Sequence, residues 1–278
     1  MFSLNLKGNL LRPGDVMIMG ILNITPDSFF TSNWQNSKAA IIAMVDGMVK
    51  NGMDIIDVGG QSTRPGSERI SEKEELSRIL PVIQMIQEEF PSLPVSVDTY
   101  QCRVAEEAVN SGASIINDIS GGDMDNSMIK TVAALGVPYI CMHMQGRPET
   151  MQENPVYDDV ASEVLRSLAY KIDKCLSAGI KDIIIDPGFG FGKNINHNFR
   201  LLNRLSDFQV LGKPIMAGLS RKSTVFRTLG ITPAGSKNGT TVMNTIAILN
   251  GANIVRVHDV LEANEVRKLI HAYKKAAS

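Results

Sequence analysis

The sequence predicts a single-domain (βα)8 TIM barrel, an α/β fold in which eight parallel strands alternate with helices. The main support is a recurring local pattern: a glycine ends a helical segment, an apolar run follows, and a polar residue stands where the run stops. Glycine favours the left-handed position after a helix, and a short apolar run bounded by Gly or Pro is typical of a buried parallel strand. The pattern occurs at Gly52–Asp57, Gly112–Asn117, Gly136–His143, Gly179–Asp186 and Gly251–Arg256.

Eight apolar runs are the predicted strands, and this number favours a closed barrel over an open sheet. They are Val16–Asn23, Asp54–Gly60, Pro94–Asp98, Ser114–Ile119, Tyr139–Met144, Asp182–Asp186, Pro214–Leu219 and Asn253–His258. The segments of helical period are Ser37–Lys50, Ser71–Phe90, Cys102–Asn110, Asn126–Leu135, Val156–Leu176, Asn198–Leu205, Val242–Leu249 and Glu262–Ala277. No linker divides the chain, so one domain is expected over residues 1–278, with residues 1–15 as a flap across the barrel bottom.

Composition and charge are those of an ordinary globular protein. Hydrophobic residues make up 44% of the chain, charged residues 21%, and the net charge is −1, which indicates neither a nucleic-acid nor a membrane surface. No signal pattern or membrane-spanning run is present. The three cysteines and four histidines show no metal-type or disulfide spacing. A cytoplasmic setting without a zinc site is therefore expected.

In a barrel of this kind the active site lies at the C-terminal ends of the strands. The segment Ile183–Lys193 illustrates the pattern, because a buried strand ends in Asp186 and a glycine-rich loop follows. A carboxylate in that position is costly unless something binds it. The polar residues at or just after the predicted strand ends are Asn23, Gln61–Gly66, Asp98, Asn117, His143, Asp186, Ser220–Ser223, Arg256 and His258.

These residues predict a pocket of two characters. The cations Arg64, Arg221, Lys222, Arg256 and His258 predict an anion site for a phosphate or diphosphate, since Arg256 and His258 are two apart on one strand and share a face. The acids Asp98 and Asp186, with Asn117, suit a flat heterocycle that has a guanidine-like edge. Ser223, at a predicted helix start, could form a second carboxylate site.

Several polar residues are interpreted as structural instead. Asp57 and Asp118 are expected to bond loop backbone, and His143 is expected to be a buried barrel histidine outside the site. Asn23 at a strand end can be either a turn residue or a metal ligand.

Nearly the whole chain resembles dihydropteroate synthase, because its motifs occur in family order. They are Gly20–Phe29, Ser62–Gly66, Ser96–Thr99, Ile116–Gly122, Met142–Met144, Arg147–Gln152, Asp186–Lys193, Ser220–Ser223 and Arg256–Val260. The resemblance implies joining of 4-aminobenzoate to 6-hydroxymethyl-7,8-dihydropterin diphosphate, with Mg²⁺ as cofactor, a homodimer, and sulfonamides as competitors.

The resemblance also implies roles for individual residues. The pterin would be held by Asp98, Asn117, Asp186 and Lys222. The catalytic residues would be Asp98, Asp186, Lys222, Arg256 and His258. Asn23 would ligate Mg²⁺, and Asn23, Thr63, Arg64, Arg256 and His258 would hold the diphosphate. The 4-aminobenzoate site would comprise Thr63, Pro65, Phe191, Ser220 and Ser223, and a lid would include Asp27, Phe29 and Thr31.

Two departures from the family pattern are visible. Thr31 stands where the family has an acid near the cationic intermediate, which affects the expected lid chemistry. Gln61 stands where the family usually has Glu, which is expected to affect loop structure.

Three other functions fit parts of the pattern. One is a pterin-using methyltransferase, which usually works with a corrinoid partner. Another is a Schiff-base aldolase acting through Lys222, and the last is a non-catalytic pterin-binding paralogue.

Overall fold

The computed structural model describes residues 2–6, 8–11, 16–24, 34–62 and 67–276, and within them it has the predicted barrel. Eight parallel strands are joined in the order β8-β7-β6-β5-β4-β3-β10-β9. A parallel bridge between Ile185 and Ile215, with an Ile185 N–H to Pro214 carbonyl bond of 2.9 Å, joins β8 to the segment before β9 and closes the barrel. The strands are β3 (Met17–Asn23), β4 (Ile55–Gly59), β5 (Val95–Asp98), β6 (Ile115–Asp118), β7 (Tyr139–Met142), β8 (Ile183–Asp186), β9 (Met216–Ala217) and β10 (Ile254–Val257).

Alternation along these strands separates two apolar layers. Residues that point outward pack under the helices, whereas Met17, Ile55, Ile115 and Ile254 belong to a cluster inside the barrel. An antiparallel hairpin, β1 (Leu4–Leu6) and β2 (Asn9–Leu11), adds its buried leucines to that inner cluster. The N-terminal end of the barrel is therefore filled with side chains, and a ligand can enter only at the opposite end.

The helices that surround the barrel begin and end close to the predicted positions. They are α1 (Trp34–Lys50), α2 (Glu72–Glu89), α3 (Cys102–Asn110), α4 (Met128–Leu135), α5 (Val160–Ala178), α6 (Ile195–Asn203), α7 (Ser223–Leu229), α8 (Lys237–Leu249) and α9 (Val260–Lys275). Short 3₁₀ helices cover Leu205–Leu211 and Ala234–Ser236. None of the helices in the described ranges has the length and apolarity of a membrane span.

Capping residues account for two of the differences in helix bounds. Asp159 accepts bonds from the first backbone N–H groups of α5, so the helix starts at Val160 rather than at the predicted Val156. Asn194 and His197 form a capping box, so α6 starts before the predicted Asn198. Helix α7 begins at Ser223, the predicted helix start, although its seven residues were not among the predicted segments of helical period.

Candidate active site

The candidate site arises from a change of chemistry on the inner face of the strands. Side chains two residues apart on a strand share a face, so the polar residue two positions after an inner isoleucine also points inside. Four strands show this step, from apolar to polar toward the C-terminal end. The pairs are Ile55 and Asp57, Ile115 and Asn117, Ile184 and Asp186, and Ile254 and Arg256.

Arg256 is the centre of the resulting network. Its Nε donates to Asp57 Oδ2 at 2.6 Å, and its Nη2 donates to Asp98 Oδ2 at 2.6 Å. Asn117 Nδ2 donates to the same Asp57 oxygen at 3.0 Å. Arg256 has 19% of its side chain exposed, whereas Asp57 is fully buried. The two carboxylates therefore fix the plane of the guanidinium, and Nη1 makes no hydrogen bond to the described part of the chain.

Two carboxylate oxygen atoms of this network have no partner among the described residues. Asp57 Oδ1 and Asp98 Oδ1 are buried and accept no hydrogen bond from the described residues. Burial raises the pKa of Asp98 to about 7, although the Arg256 charge opposes the shift. Burial lowers the pKa of Arg256, but the nearby charges of Asp57 and Asp98 raise it by more, so that the pKa lies above its ordinary value. A buried acceptor without a donor is costly, so these atoms indicate a bound group that supplies N–H or O–H donors.

A second acid and cation lie on the other side of the barrel mouth. Asp186 Oδ1 accepts the Gly188 N–H at 2.7 Å, and Lys222 Nζ donates to the Phe189 carbonyl. Burial raises the pKa of Asp186 against the effect of Lys222. Burial lowers the pKa of Lys222 to about 8, with Asp186 opposing. Lys222 Nζ also lies 4.7 Å from the centroid of the Phe191 ring.

An apolar wall borders these polar groups. Phe191 and Met144 pack against a cluster of Tyr100, Ile119 and Met142 at the ends of neighbouring strands. Such a wall beside buried hydrogen-bonding groups suits a flat ring system, since the ring stacks while its edge is recognised.

Two further cations, His258 after β10 and Arg221 after β9, have different partners. Ser220 Oγ contacts His258 Nδ1 at 3.0 Å and accepts the His258 backbone N–H at 3.2 Å, so the exposed imidazole is held against Ser220, three residues before α7 begins. Arg221, predicted to be a pocket cation, instead binds both oxygens of Asp259 at 3.0 and 2.6 Å. The Arg221 charge is therefore paired with a carboxylate just after β10, and its part in anion binding stays a prediction.

The prediction that Asp57 bonds loop backbone was wrong, since its partners are the side chains of Arg256 and Asn117. Its position two residues after the inner Ile55 was the signal that could have placed it inside the barrel. Asp118 does bond loop backbone, through the Ser120 and Gly122 N–H groups. His143 is buried, as expected.

Gln61 ties the loop after β4. Its Nε2 donates to the Ser62 carbonyl at 2.8 Å and the Glu68 carbonyl at 2.9 Å, and its Oε1 accepts the Ile70 N–H at 2.8 Å. A carboxylate cannot donate either of the first two bonds. The presence of Gln61 where the family usually has Glu therefore affects the structure of this loop.

Asn23 is the last residue of β3 and pairs with Gly59 on β4, and Gly59 pairs with Asp98 on β5. The side chains of Asn23 and Asp98 therefore flank a position that has no side chain of its own. Six other predicted site residues lie outside the described residues: Asp27, Phe29, Thr31, Thr63, Arg64 and Pro65.

Comparison with known proteins adds to this geometry. Residues 19–258 match the family described as pterin binding enzyme. The dihydropteroate synthase of Escherichia coli K12 is 43% identical over 268 residues, which cover 96% of this chain and 94% of that protein. The chain belongs to the dihydropteroate synthase family. The resemblance seen in the sequence motifs is thereby confirmed, and the Bacillus subtilis synthase, 41% identical over 92% of this chain and 88% of its own length, agrees with it.

Solved structures of dihydropteroate synthases share the barrel. The Yersinia pestis enzyme with a sulfonamide drug superimposes with a TM-score of 0.92 at 38% identity, covering 99% of this chain and 100% of that one. The Xanthomonas albilineans enzyme with 4-aminobenzoic acid gives 0.90 at 36% identity over 98% of both chains. The predicted single-domain barrel is confirmed by this match and by the closed sheet.

Proposed function

We propose that the protein is a dihydropteroate synthase, a transferase that condenses 6-hydroxymethyl-7,8-dihydropterin diphosphate with 4-aminobenzoate and releases diphosphate. The observation that carries the proposal is the buried Asp98 carboxylate, which has one oxygen on Arg256 and the other without a donor among the described residues. A ring N–H of the pterin would satisfy that oxygen. Relatives at 43% identity carry this name, and one neighbouring structure, from Xanthomonas albilineans, is a complex with 7,8-dihydropteroate.

The pterin is proposed to lie between the polar cluster and the apolar wall. Asp98, Asn117 and Asp186 would bind the nitrogens of its guanidine-like edge, and Lys222 would donate to a ring oxygen. Asp98, Asn117 and Asp186 are buried, with exposed fractions of 6%, 3% and 4%. Hydrogen bonds to such groups discriminate strongly, because a ligand without the matching donors leaves them unpaired.

The diphosphate is proposed to bind Arg256 Nη1 and the exposed His258, together with Thr63 and Arg64. Arg256 suits this role because two carboxylates preset its orientation, so little reorganisation is needed when charge develops. Asn23 would hold Mg²⁺ through its amide oxygen, together with oxygens of the diphosphate. The described residues contain no group of three His, Cys, Asp or Glu side chains that could hold a metal alone, and a Mg²⁺ ion shared with substrate phosphates needs only one or two protein oxygens.

The 4-aminobenzoate is proposed to bind at the rim. The Phe191 ring, beside Lys222, would contact the aromatic ring, and Ser220 and Ser223 would lie near the carboxylate, with Thr63 and Pro65 completing the site. The same site would accept a competing sulfonamide. Asp27, Phe29 and Thr31 are proposed to form the lid over it.

The proposed mechanism is a dissociative displacement. The bond from the pterin methylene carbon to the diphosphate oxygen breaks first, and Arg256 and His258 stabilise the negative charge that develops on the diphosphate. The remaining cation is delocalised into the pterin ring beside Asp98 and Asp186. The arylamine nitrogen then bonds to the methylene carbon and releases a proton to solvent. When Mg²⁺ is bound, it supplies Lewis-acid stabilisation of the leaving group.

Diphosphate release from the purified protein tests this function. Dihydropterin diphosphate and Mg²⁺ are supplied with and without 4-aminobenzoate, and dihydropteroate is measured by mass. Release that depends on 4-aminobenzoate and yields dihydropteroate is expected. Pterin binding without product would favour the non-catalytic paralogue, with the Thr31 lid as its cause. Absence of pterin binding would overturn the site, and borohydride trapping of a carbonyl substrate on Lys222 would indicate an aldolase.

The pH dependence of kcat/KM for the pterin substrate should be bell-shaped. Asp98 must be a carboxylate to accept a ring N–H, so kcat/KM rises as pH increases through its pKa of about 7. Lys222 must be charged to donate, so kcat/KM falls as pH increases through its pKa of about 8. Initial rates between pH 5.5 and 9.5 measure both limbs. Lys222→Arg should move the basic limb upward, because arginine keeps its charge, and a flat wild-type profile would contradict both assignments.

A homodimer is proposed through an apolar face on α7 and α8. Leu229, Val242, Ile246 and Leu249 are exposed by 54%, 51%, 37% and 53%, and the three on α8 are spaced by four and three residues, which places them on one side of the helix. In a twofold dimer such a face packs against its own copy.

Val242→Glu combined with Ile246→Glu should raise the dimer dissociation constant at least ~100-fold, because like charges then face one another across the interface. Sedimentation equilibrium measures the constant. Val210→Glu, which changes a residue that is 77% exposed elsewhere on the surface, is the control and should remain dimeric. A monomeric wild type, or a double variant that dimerises normally, would disprove dimerisation through this face.

The free thiols Cys102, Cys141 and Cys175 fit the proposed reducing, cytoplasmic setting.

A further inference from the structure

The loop after β8 is closed around one buried ammonium group. Lys193, only 2% exposed, points its Nζ back into the loop that precedes it. The atom donates to the Gly188 carbonyl at 2.9 Å and the Phe191 carbonyl at 3.0 Å, and it lies 3.0 Å from His143 Nδ1. Burial, with a further contribution from the Lys193 charge, lowers the pKa of His143 to about 2, so the imidazole is neutral and Nδ1 can accept. Burial lowers the pKa of Lys193 to about 7, with Asp186 opposing the shift, and in the charged form each of the three ammonium hydrogens has an acceptor.

The other carbonyls of the loop are bound by different donors. Lys222 Nζ donates to Phe189, Gln152 Nε2 to Gly190, and the Tyr157 hydroxyl to Gly192 at 2.9 Å. The Gly188 carbonyl also accepts the Phe191 N–H at 3.1 Å, whereas Lys193 is the donor that the described residues supply to the Phe191 carbonyl. Asp186 and Asn198 hold the loop at the Gly188 and Gly190 N–H groups, and Lys193 holds it at the Phe191 carbonyl.

Phe191 connects this ammonium group to the candidate site. Its carbonyl is fixed by Lys193, whereas its ring lies beside Lys222 Nζ and packs on the apolar wall. A displacement of the Phe191 backbone would therefore move the ring. Displacements of about 1 Å in a binding group are sufficient to weaken a ligand strongly.

We propose that Lys193 is a positioning residue that sets the affinity for 4-aminobenzoate by fixing the ring of Phe191. The inference rests on the proposed function, because it takes Phe191 to contact the arylamine. Lys193 itself touches no substrate. Of the residues proposed to hold the pterin, Asp98 and Asn117 lie on other strands, and Asp186 keeps the Gly188 N–H. The pterin site should therefore be less affected than the arylamine site when Lys193 is replaced.

Lys193→Met tests the inference, since methionine keeps an unbranched chain but donates no hydrogen bond. The Phe191 carbonyl and the His143 imidazole then lose the donor that the described residues supply, while the Gly188 carbonyl keeps the Phe191 N–H. A buried carbonyl without a donor is costly, so the backbone at Phe191 is expected to shift. The KM for 4-aminobenzoate should rise at least ~10-fold, whereas the KM for dihydropterin diphosphate should change less than ~3-fold. Lys181→Met, at an exposed lysine just before the same strand, is the matched control and should change neither constant. Urea unfolding establishes that each variant is folded under assay conditions.

A double-mutant cycle with Phe191→Leu separates positioning from general loosening. If Lys193 acts through Phe191, the effects of Lys193→Met and Phe191→Leu on the arylamine KM are not additive. Lys193→Gln, whose amide keeps two donor hydrogens, should give a smaller rise and serves if the methionine variant does not fold.

Three outcomes would overturn the inference. They are an unchanged arylamine KM, equal rises in both KM values, and additive effects in the cycle. Wild-type protein that makes no dihydropteroate would overturn the proposed function as well, whereas an active wild type with an unaffected Lys193→Met variant would overturn this inference alone.

Discussion

Arg256→Ala should lower kcat by about 10²–10³-fold, a loss of about 3–4 kcal/mol of transition-state stabilisation. Arg256 is the buried cation held by two carboxylates, at 2.6 Å each, and it is proposed to face the oxygens that gain charge as the diphosphate leaves. A group that is oriented before the reaction contributes mainly to the transition state, so kcat should fall more than the KM of either substrate rises. Steady-state kinetics with both substrates measure this split.

Arg267→Ala is the matched control for that loss. Arg267 binds Asp54 Oδ2 at 2.6 Å and the Gly52 carbonyl at 2.9 Å, at the opposite end of the barrel. Its replacement should lower the free energy of unfolding and leave kcat at the wild-type value. Equal kcat losses in the two variants would mean that Arg256 acts only through stability, and a wild-type kcat in Arg256→Ala would remove its role in the reaction.

The stability of Arg256→Ala should also depend on pH. Arg256 lowers the pKa of Asp98, which burial has raised to about 7, so its removal raises that pKa further. A carboxyl whose pKa in the folded state lies above its unfolded value stabilises the protein at low pH and loses that contribution as pH rises. The deficit in unfolding free energy relative to wild type should therefore be larger at pH 8 than at pH 6.

Sequence alone could predict the barrel and the ring of strand-end residues because both follow from backbone periodicity. The step from Ile184 to Asp186, and from Ile254 to Arg256, is visible as a change of chemistry at a spacing of two. Parallel strands then bring their C-terminal ends together whatever the details of the helices. Asp98, Asn117, Asp186 and Arg256 could be grouped in this way without knowledge of any contact.

Contacts made by long side chains could not be predicted in the same way. Arg221 and Lys222 are neighbours in sequence, yet Arg221 binds Asp259, whereas Lys222 reaches the Phe189 carbonyl. Lys193 follows a glycine-rich run, but the sequence does not show that its ammonium group returns to that run. Several rotatable bonds separate such a charge from its backbone, so its partner depends on tertiary packing rather than on local pattern.

Gly188→Ala should lower the free energy of unfolding by about 3 kcal/mol or more, because two costs add at this position. The residue has φ of 72°, which costs a non-glycine residue about 1–2 kcal/mol. A Cβ at Gly188 would also lie 1.9 Å from the His143 carbonyl oxygen, so backbone must move. Overpacking of this kind typically costs about 1–3 kcal/mol. Urea unfolding with linear extrapolation measures the change.

Gly212→Ala separates the two costs. Gly212 has a similar φ of 62°, but a Cβ there would meet nothing within 4 Å. That variant should lose only the conformational contribution, about 1–2 kcal/mol, so the excess loss in Gly188→Ala reports the clash with His143. Because the Gly188 N–H binds Asp186 and its carbonyl binds Lys193, the displaced loop should also raise the KM of both substrates in Gly188→Ala, and of neither in Gly212→Ala. Equal stability losses in the two variants would mean that the loop after β8 can move away from β7 freely, and the rigid positioning of Phe191 by Lys193 would then lose its physical basis.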